Sequence, residues 1–357
     1  MMHDRNSEAS DLEFAPIPVA VVMGVPVEDV TLPEALALIA QFVKIGRRDN
    51  RTFQIATINV DFVVNARRDP SVRGLLQDAD LCLPDGMPII WSAALQGTPL
   101  RERTTGADLV PALVEATSFS GLRVLLFGSA PGVAEKAAEI LSARFPRAIV
   151  MGLSGPFMRT AEEMVPTVVD EIRSFSADII CIALGNPKQE RWVKTFRGQL
   201  GIPVLIGVGG TLDFLVGDRR RAPRQIQRFG LEWVYRALQE PRRLGRRYVR
   251  DGIVFGPHFL GVALAGLLRS KARYLNPVSA RASHGASVEI DCSPLDSLTP
   301  RSTASLVGMA RHARRAGKNV VLTGCRPQVR TALAKCDVDR IFTFSTPTAA
   351  RSEADRG

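Results

Sequence analysis

Asp178-Ile-Ile-Cys-Ile-Ala-Leu184 is an almost unbroken apolar run, and it passes directly into Gly185-Asn-Pro-Lys-Gln-Glu190. A strand without polar alternation is buried on both faces, as in the middle of a parallel sheet covered by helices. Arg123–Phe127 has the same character and ends in Gly128-Ser-Ala-Pro-Gly132. Working outward, further strands are expected at Val19–Met23, Phe53–Thr57, Leu81–Leu83, Ala148–Met151 and Val204–Val208. Helical spacing fills the gaps, at Leu32–Val43, Ser71–Gln77, Met87–Leu95, Leu109–Thr117, Val133–Arg144, Ala161–Ser174 and Gln189–Phe196. Strands alternating with helices of this length make βαβ units. The expectation is an α/β fold over residues 17–224, with a Rossmann-like, mainly parallel sheet and helices on both faces.

Past residue 224 the text changes. Residues 225–274 form an Arg-rich helical appendage followed by an apolar segment, and residues 275–286 read as a Ser/Ala/Gly linker. A small α/β piece is expected over 287–346: strand Val288–Asp291, helix Ser302–Ala316, strand Asn319–Thr323, helix Pro327–Cys336 and strand Arg340–Phe344. Residues 1–16 and 347–357 are polar and read as disordered tails; the first lacks the basic-then-apolar order of a secretory signal.

Composition narrows the chemistry. A net charge of +10 over 357 residues points to anionic partners. With 6% aromatics and no basic patch interleaved with stacking rings, nucleic acid is not the expected one. Cys82, Cys181, Cys292, Cys325 and Cys336 are widely spaced and form no C-x-x-C pair, which argues against a disulfide framework or zinc site and for a reducing cytosol. His3, His258, His284 and His312 fall outside every strand end, and no H-E-x-x-H is present, so neither a catalytic metal nor another cofactor is expected. Asp78-Ala-Asp80 has the D-x-D spacing of a metal-diphosphate motif, but its place at a helix-to-strand join makes it incidental.

Ligands of open parallel sheets bind beyond the carboxyl ends of the strands. Those ends read Thr57-Ile-Asn59-Val-Asp61, Pro84-Asp85-Gly86, Gly128 to Gly132, Gly185 to Glu190, and Gly207-Val-Gly-Gly-Thr-Leu-Asp213. Together they suit a nucleotide-type ligand. Gly128, at the start of Gly128-x-x-x-Gly132, can set backbone N–H groups against a phosphate. Two roles fit Asp85 on local sequence alone: general base for an acceptor hydroxyl, and N-cap of the helix that follows.

The appendage supplies positive charge. Gly230-Leu-Glu-Trp-Val-Tyr235 leads into Arg236-Ala-Leu-Gln-Glu-Pro-Arg-Arg-Leu-Gly-Arg-Arg-Tyr248, a run of guanidiniums suited to gripping a diphosphate. The segment Ile253–Leu268 is shorter than the roughly 20 residues of a spanning helix and carries Gly256-Pro257-His258 as an interruption. It reads as an interfacial amphipathic element, with a core helix as the alternative.

These elements, in this order, resemble the WecG/TagA/CpsF family of bacterial glycosyltransferases from Val19 to Tyr248. The carriers are Thr57-Ile-Asn59, Ala79-Asp-Leu-Cys-Leu-Pro-Asp85-Gly86, Glu102-Arg103-Thr-Thr-Gly106-Ala-Asp108-Leu109, Gly185-Asn-Pro-Lys-Gln-Glu-Arg-Trp192, Gly207 to Asp213, Arg221-Ala-Pro223, Gly230 to Arg236 and Glu240-Pro-Arg-Arg243. The resemblance implies inverting, metal-independent transfer from a UDP-sugar, typically of N-acetylmannosamine type. It implies a polyprenyl-diphosphate-linked saccharide as acceptor, at the cytoplasmic face of the cell membrane, in polysaccharide biosynthesis. It implies Asp85 as base, Thr57 and Asn59 beside the reacting sugar, Gln189 and Asp213 against the nucleotide sugar, and Arg236, Arg243 and Arg246 over the diphosphate, with Arg242 and Arg247 as adjacent competitors. Arg103, Gly128 and Gly185 complete the expected substrate-binding set.

The last piece, Val288 to Phe342, is similar to the later part of STAS domains, which implies a protein-docking or degenerate regulatory role. Where such domains carry an Asp-Ser-Ser/Thr-Gly switch, this chain reads Thr299-Pro300-Arg301-Ser302, with proline in place of the phosphoacceptor. The competing reading is an inactive nucleotide-binding regulator that acts through this end.

Overall fold

The computed structural model describes residues 16–155, 160, 166–217, 222–223, 226, 232–239, 241–268, 280–282 and 287–345. The expected tails, Arg221, Gly230 and the start of the Ala161–Ser174 helix lie outside these residues, as do the side chains of Arg236, Arg242 and Arg243.

The chain opens with a hairpin, β1 (Val19–Val22) and β2 (Val25–Glu28), turned at Met23 and Gly24, both with positive φ. Only β1 was legible in sequence: Pro26 and the shortness of β2 hid the second strand. Helix α1 (Leu32–Asp49) starts from a capping box in which Thr31 and Glu34 satisfy each other's backbone N–H groups, and ends at Asn50 in the left-handed region. Next come β3 (Phe53–Ile58), α2 (Val60–Arg68), α3 (Pro70–Asp78), β4 (Leu81–Pro84), α4 (Met87–Leu95), α5 (Gly106–Thr117), β5 (Arg123–Gly128), α6 (Val133–Arg144) and β6 (Ile149–Leu153). The domain closes with α7 (Pro166–Phe175), β7 (Ile179–Ala183), α8 (Lys188–Phe196), β8 (Val204–Gly207) and α9 (Thr211–Leu215).

Six strands form one sheet in the order β4-β3-β8-β7-β5-β6, every pair parallel. All residues of β7 are buried, as its unbroken apolar text requires. Apolar clusters lie on both faces: Leu109, Leu113, Ala137 and Leu141 cover one, and Ile172, Trp192, Val193 and Phe196 the other. The expected α/β sheet with helices on both faces is therefore the fold. Strand order places β3 and β8 side by side, one strand in from the β4 edge, so their carboxyl ends flank a crevice.

The appendage is α10 (Glu232–Gln239) followed by α11 (Pro241–Leu268). Contrary to the expected interruption, α11 runs unbroken through Gly256 and Pro257. Proline removes one helical hydrogen bond. Here Ile253, Gly256 and Pro257 are all exposed, so water can take the orphaned carbonyl. The same helix buries Asp251 and Phe255 against the large domain. Among the described residues no helix is long and apolar enough to cross a membrane.

A second sheet, β12-β11-β10-β9, holds β9 (Ala280–Ala282), β10 (Ser287–Asp291), β11 (Asn319–Thr323) and β12 (Thr343–Phe344), with α12 (Pro300–Arg315) and α13 (Pro327–Lys335). The expected linker thus contributes a strand, β9, antiparallel to β10. The hairpin joins the two halves of the protein: Val19 belongs to the core of this small domain, Ala20 and Val22 to that of the large one. Alternate residues of a strand face opposite sides, which is how β1 serves two cores.

Candidate active site

Two cavities open at the carboxyl edge of the large sheet and share a wall. One, of about 280 Å³, is bounded by strand ends: Thr57, Ser129, Gly185, Asn186, Gly209, Gly210, Thr211 and Asp213. The other, of about 230 Å³, has aromatic and apolar walls from Met87, Pro88, Trp233, Tyr248 and Phe255, with Arg103, Glu232 and Asp251 among them. Among the described residues only Asn59, Asp61, Asp85 and Arg247 line both. Two carboxylates and a guanidinium therefore meet at the junction of a polar chamber and an aromatic one.

Asp85 follows β4, its backbone N–H held by Ile58 O at 2.8 Å in the parallel register. The N-cap of α4 is Gly86, at φ 143°, and its cap carries no side-chain hydrogen bond. The capping role that local sequence allowed Asp85 thus falls to its neighbour's backbone. Thr57 is buried and donates its hydroxyl to Gly207 O at 2.9 Å, tying the ends of β3 and β8 together beneath the polar chamber. Asn59 caps α2 by accepting from Asp61 N at 3.0 Å.

The glycine-rich end of β8 is shaped from below. Gly209 N donates to Gln189 Oε1 at 3.1 Å, and a Cβ on Gly207 would sit 2.4 Å from Gln189 Nε2. Gln189 is fully buried and lines neither chamber, so it positions the loop that does. Asp213 lines the polar chamber and accepts from Ser129 Oγ at 2.5 Å. Gly185 lines it directly; Gly128 does not, and a Cβ there would meet Leu184 Cδ2 at 2.8 Å, so its demand is for close packing of β5 on β7.

Of the arginines expected over the diphosphate, Arg246 is exposed and lines neither chamber, while its neighbour Arg247 lines both. Arg103 lines the aromatic chamber and pairs with Glu232 Oε2 at 2.7 Å. Arg250 bonds Asp61 and reaches Asp251 Oδ1 at 2.9 Å. Those two ion pairs fasten α10 and α11 over the site. Burial pushes the Asp251 carboxyl up, the nearby charge of Asp61 adds to this, and Arg250 opposes it.

Sequence reasoning passed over Glu190. It is buried, accepts from Asn186 Nδ2 at 2.9 Å, and Asn186 Oδ1 in turn accepts from Asn65 Nδ2 at 2.6 Å. Burial pushes the Glu190 carboxyl up to about 7, against the opposing pull of the Gln189 and Asn186 amides. The signal was its place in Gly185-Asn-Pro-Lys-Gln-Glu190: a carboxylate at helical spacing beside the buried Gln189. Asp78-Ala-Asp80 lines neither chamber, and among the described residues no His, Cys, Asp and Glu cluster could hold a metal.

A parallel sheet with a two-chambered crevice at its carboxyl edge, carboxylates and a guanidinium at the junction and a helical cover describes a group-transfer enzyme of the open α/β type. Comparison with known families sharpens that class. The description "Glycosyl transferase WecG/TagA/CpsF family" matches residues 20–271, and the chain belongs to that family of glycosyltransferases. A second description, "Mlab, STAS domain", matches residues 257–343. A curated N-acetylglucosaminyldiphosphoundecaprenol N-acetyl-beta-D-mannosaminyltransferase of Bacillus spizizenii is 32% identical over 197 residues, 55% of this chain and 75% of that protein. A transferase of the same description from Staphylococcus aureus is 29% identical over 225 residues, 63% of this chain and 86% of the other.

Proposed function

We propose that this glycosyltransferase moves an N-acetylmannosamine-type sugar from its UDP donor to a polyprenyl-diphosphate-linked acceptor saccharide. The carrying observation is that Asp85 and Arg247 line both chambers. The polar chamber, ringed by strand-end amides and hydroxyls, suits the nucleotide sugar. The aromatic chamber, with Trp233 and Tyr248, suits a sugar ring presented on a lipid diphosphate.

In this reading ionised Asp85 takes the proton from an acceptor hydroxyl as its oxygen attacks the anomeric carbon. The bond from that carbon to the UDP oxygen breaks on the opposite face, which inverts the centre. The charge growing on departing UDP is met by Arg247, with Arg236 and Arg243 of the same appendage as further donors. Thr57 and Gln189 act by holding the ends of β3 and β8 in place.

The acceptor's lipid anchor fits the outer side of α11. Val249, Ile253, Leu260 and Leu264 are exposed at helical spacing along one stripe, opposite the buried Asp251 and Phe255, with exposed Arg246 beside them. Such a stripe suits the plane of an anionic bilayer, on the cytoplasmic side where nucleotide sugars are made. The deciding experiment presents a panel of radiolabelled UDP-sugars with a short-chain prenyl-diphosphate N-acetylglucosamine acceptor. Label moving into the lipid-linked product from the N-acetylmannosamine donor supports the reading; transfer only from other sugars, or none, ends it.

A further inference from the structure

Asp78-Ala-Asp80 and the arginines of the STAS-like domain, neither used by the chemistry above, meet each other. β4 is an edge strand of the large sheet, paired with β3 on one side only. Unpaired edge groups need covering. The outward backbone groups at alternate positions along it are taken by side chains and a loop: Arg315 Nε donates to Asp80 O at 2.8 Å, Cys82 N donates to Glu28 Oε2 at 2.7 Å, and Thr104 N donates to Pro84 O at 2.8 Å. Glu28 Oε1 then accepts from both Arg311 and Arg315, and all three side chains are at most 2% exposed. Around this buried triad, Arg314 Nη2 meets Asp78 Oδ1 at 2.9 Å, and Arg51 of the large domain caps the last carbonyls of α12, Arg315 O at 2.7 Å and Arg314 O at 3.0 Å. At the other end of α12 the degenerate switch segment is a capping box of Thr299 and Ser302, and Arg301 Nε donates to Gly97 O at 2.7 Å.

We propose that the STAS-like domain is a built-in partner, docked through α12 on the strand that carries the base, and that Glu28 and Arg315 are positioning residues for Asp85. Asp85 stands one residue beyond β4, so whatever fixes the edge of β4 fixes the carboxylate. Buried ion pairs are specific in geometry and little screened by salt, which suits a permanent joint and not a module that swings out to recruit another protein. The positioning half of this proposal rests on Asp85 being the base; the docking half does not.

The test uses the full chain with a protease site inserted between Leu275 and Asn276, ahead of β9, so that the whole small sheet lies on one fragment. After cleavage the two fragments are expected to co-elute from a sizing column in low and in 1 M salt, with transfer within about twofold of the uncut protein. Elution apart overturns docking, and lost transfer in fragments that stay together overturns the idea that the interface, and not the link, does the holding. The second arm is the charge-free variant Glu28→Gln/Arg311→Met/Arg315→Met, which leaves no lone buried charge and is expected to fold. Its kcat is expected to fall about tenfold or more, since small displacements of a reacting group are costly, with the donor KM within about twofold and the acid limb of the kcat–pH profile displaced. A folded variant with unchanged kcat and unchanged profile overturns positioning. Because co-elution needs no activity, failure of the proposed reaction and failure of docking give different results.

Discussion

Two helices of this protein carry arginine clusters that read alike, Arg242–Arg250 in α11 and Arg311–Arg315 in α12. In α12 every guanidinium is bound within the protein: Arg311 and Arg315 converge on Glu28, and Arg314 on Asp78 and Gln77 O. In α11 the pattern splits. Arg250 is held by Asp61 and Asp251, Arg246 faces outward, and Arg247 lines the junction of the two chambers. Direct closure decides the difference. Arg250, Arg311, Arg314 and Arg315 each bond a carboxylate and act as joints, whereas Arg247 shares two open chambers with Asp61 and Asp85, a placement that suits a ligand's charge.

That contrast can be attacked from several sides, and the largest effect belongs to Asp85, the proposed base. Asp85→Asn is expected to lower kcat by about 10²–10⁴-fold while UDP-sugar affinity, read by calorimetry, stays within a few-fold. Equal loss of binding would remove Asp85 from that role. Arg247→Ala should cost about 10²–10³-fold in kcat, as loss of a donor to developing charge does, whereas Arg246→Ala stays within about twofold. Reversal of that order would mean the appendage turns by one residue on substrate binding.

On the joint side, Glu28→Gln alone leaves the buried guanidiniums of Arg311 and Arg315 without their shared carboxylate and should destabilise the fold by roughly 3–5 kcal/mol in denaturant titration. A loss under 1 kcal/mol would show that neighbouring carbonyls and water suffice for the two arginines.

Glu190 offers a pH test. A carboxyl raised by burial from 4.5 to about 7 is more stable protonated in the fold, corresponding to roughly 3 kcal/mol. That stabilisation is complete below pH 4.5 and is lost as pH climbs through about 7. Glu190→Gln should therefore melt higher than the parent at pH 8 and flatten the fall in melting temperature between pH 5 and 8; parallel curves would refute the assignment. The smallest expected effect is Glu232→Gln, which loosens the latch to Arg103 and should raise acceptor KM about threefold with kcat nearly unchanged, since the amide oxygen can still accept from the guanidinium.

Much of this protein was legible without coordinates because its signals are local. Continuous apolar text demanded inner parallel strands, so β5, β7 and β8 fell near their expected positions, and α4 and α6 matched residue for residue. Asp85, Thr57, Asn59, Gly185 and Asp213 line one cavity together because strand ends in a parallel sheet share one edge. Gln189 was expected to touch substrate and instead supports Gly209, a distinction that depends on which face of α8 is buried. β2 and β9 escaped because strands of four and three residues carry too little pattern to be seen.

Strand text and chain order by themselves determined the parallel sheet and the edge at which its strand ends, Asp85 among them, come together, since each follows from backbone periodicity. Only the folded protein decided which arginine faces the crevice, that Asp78-Ala-Asp80 receives a neighbouring domain's guanidiniums in place of a metal, and that the N-terminal hairpin feeds two cores. Those outcomes turn on meetings between residues far apart in the chain, as with Glu28 and Arg311. Charges carry no periodic signature, and their energy depends on what surrounds them once water is gone.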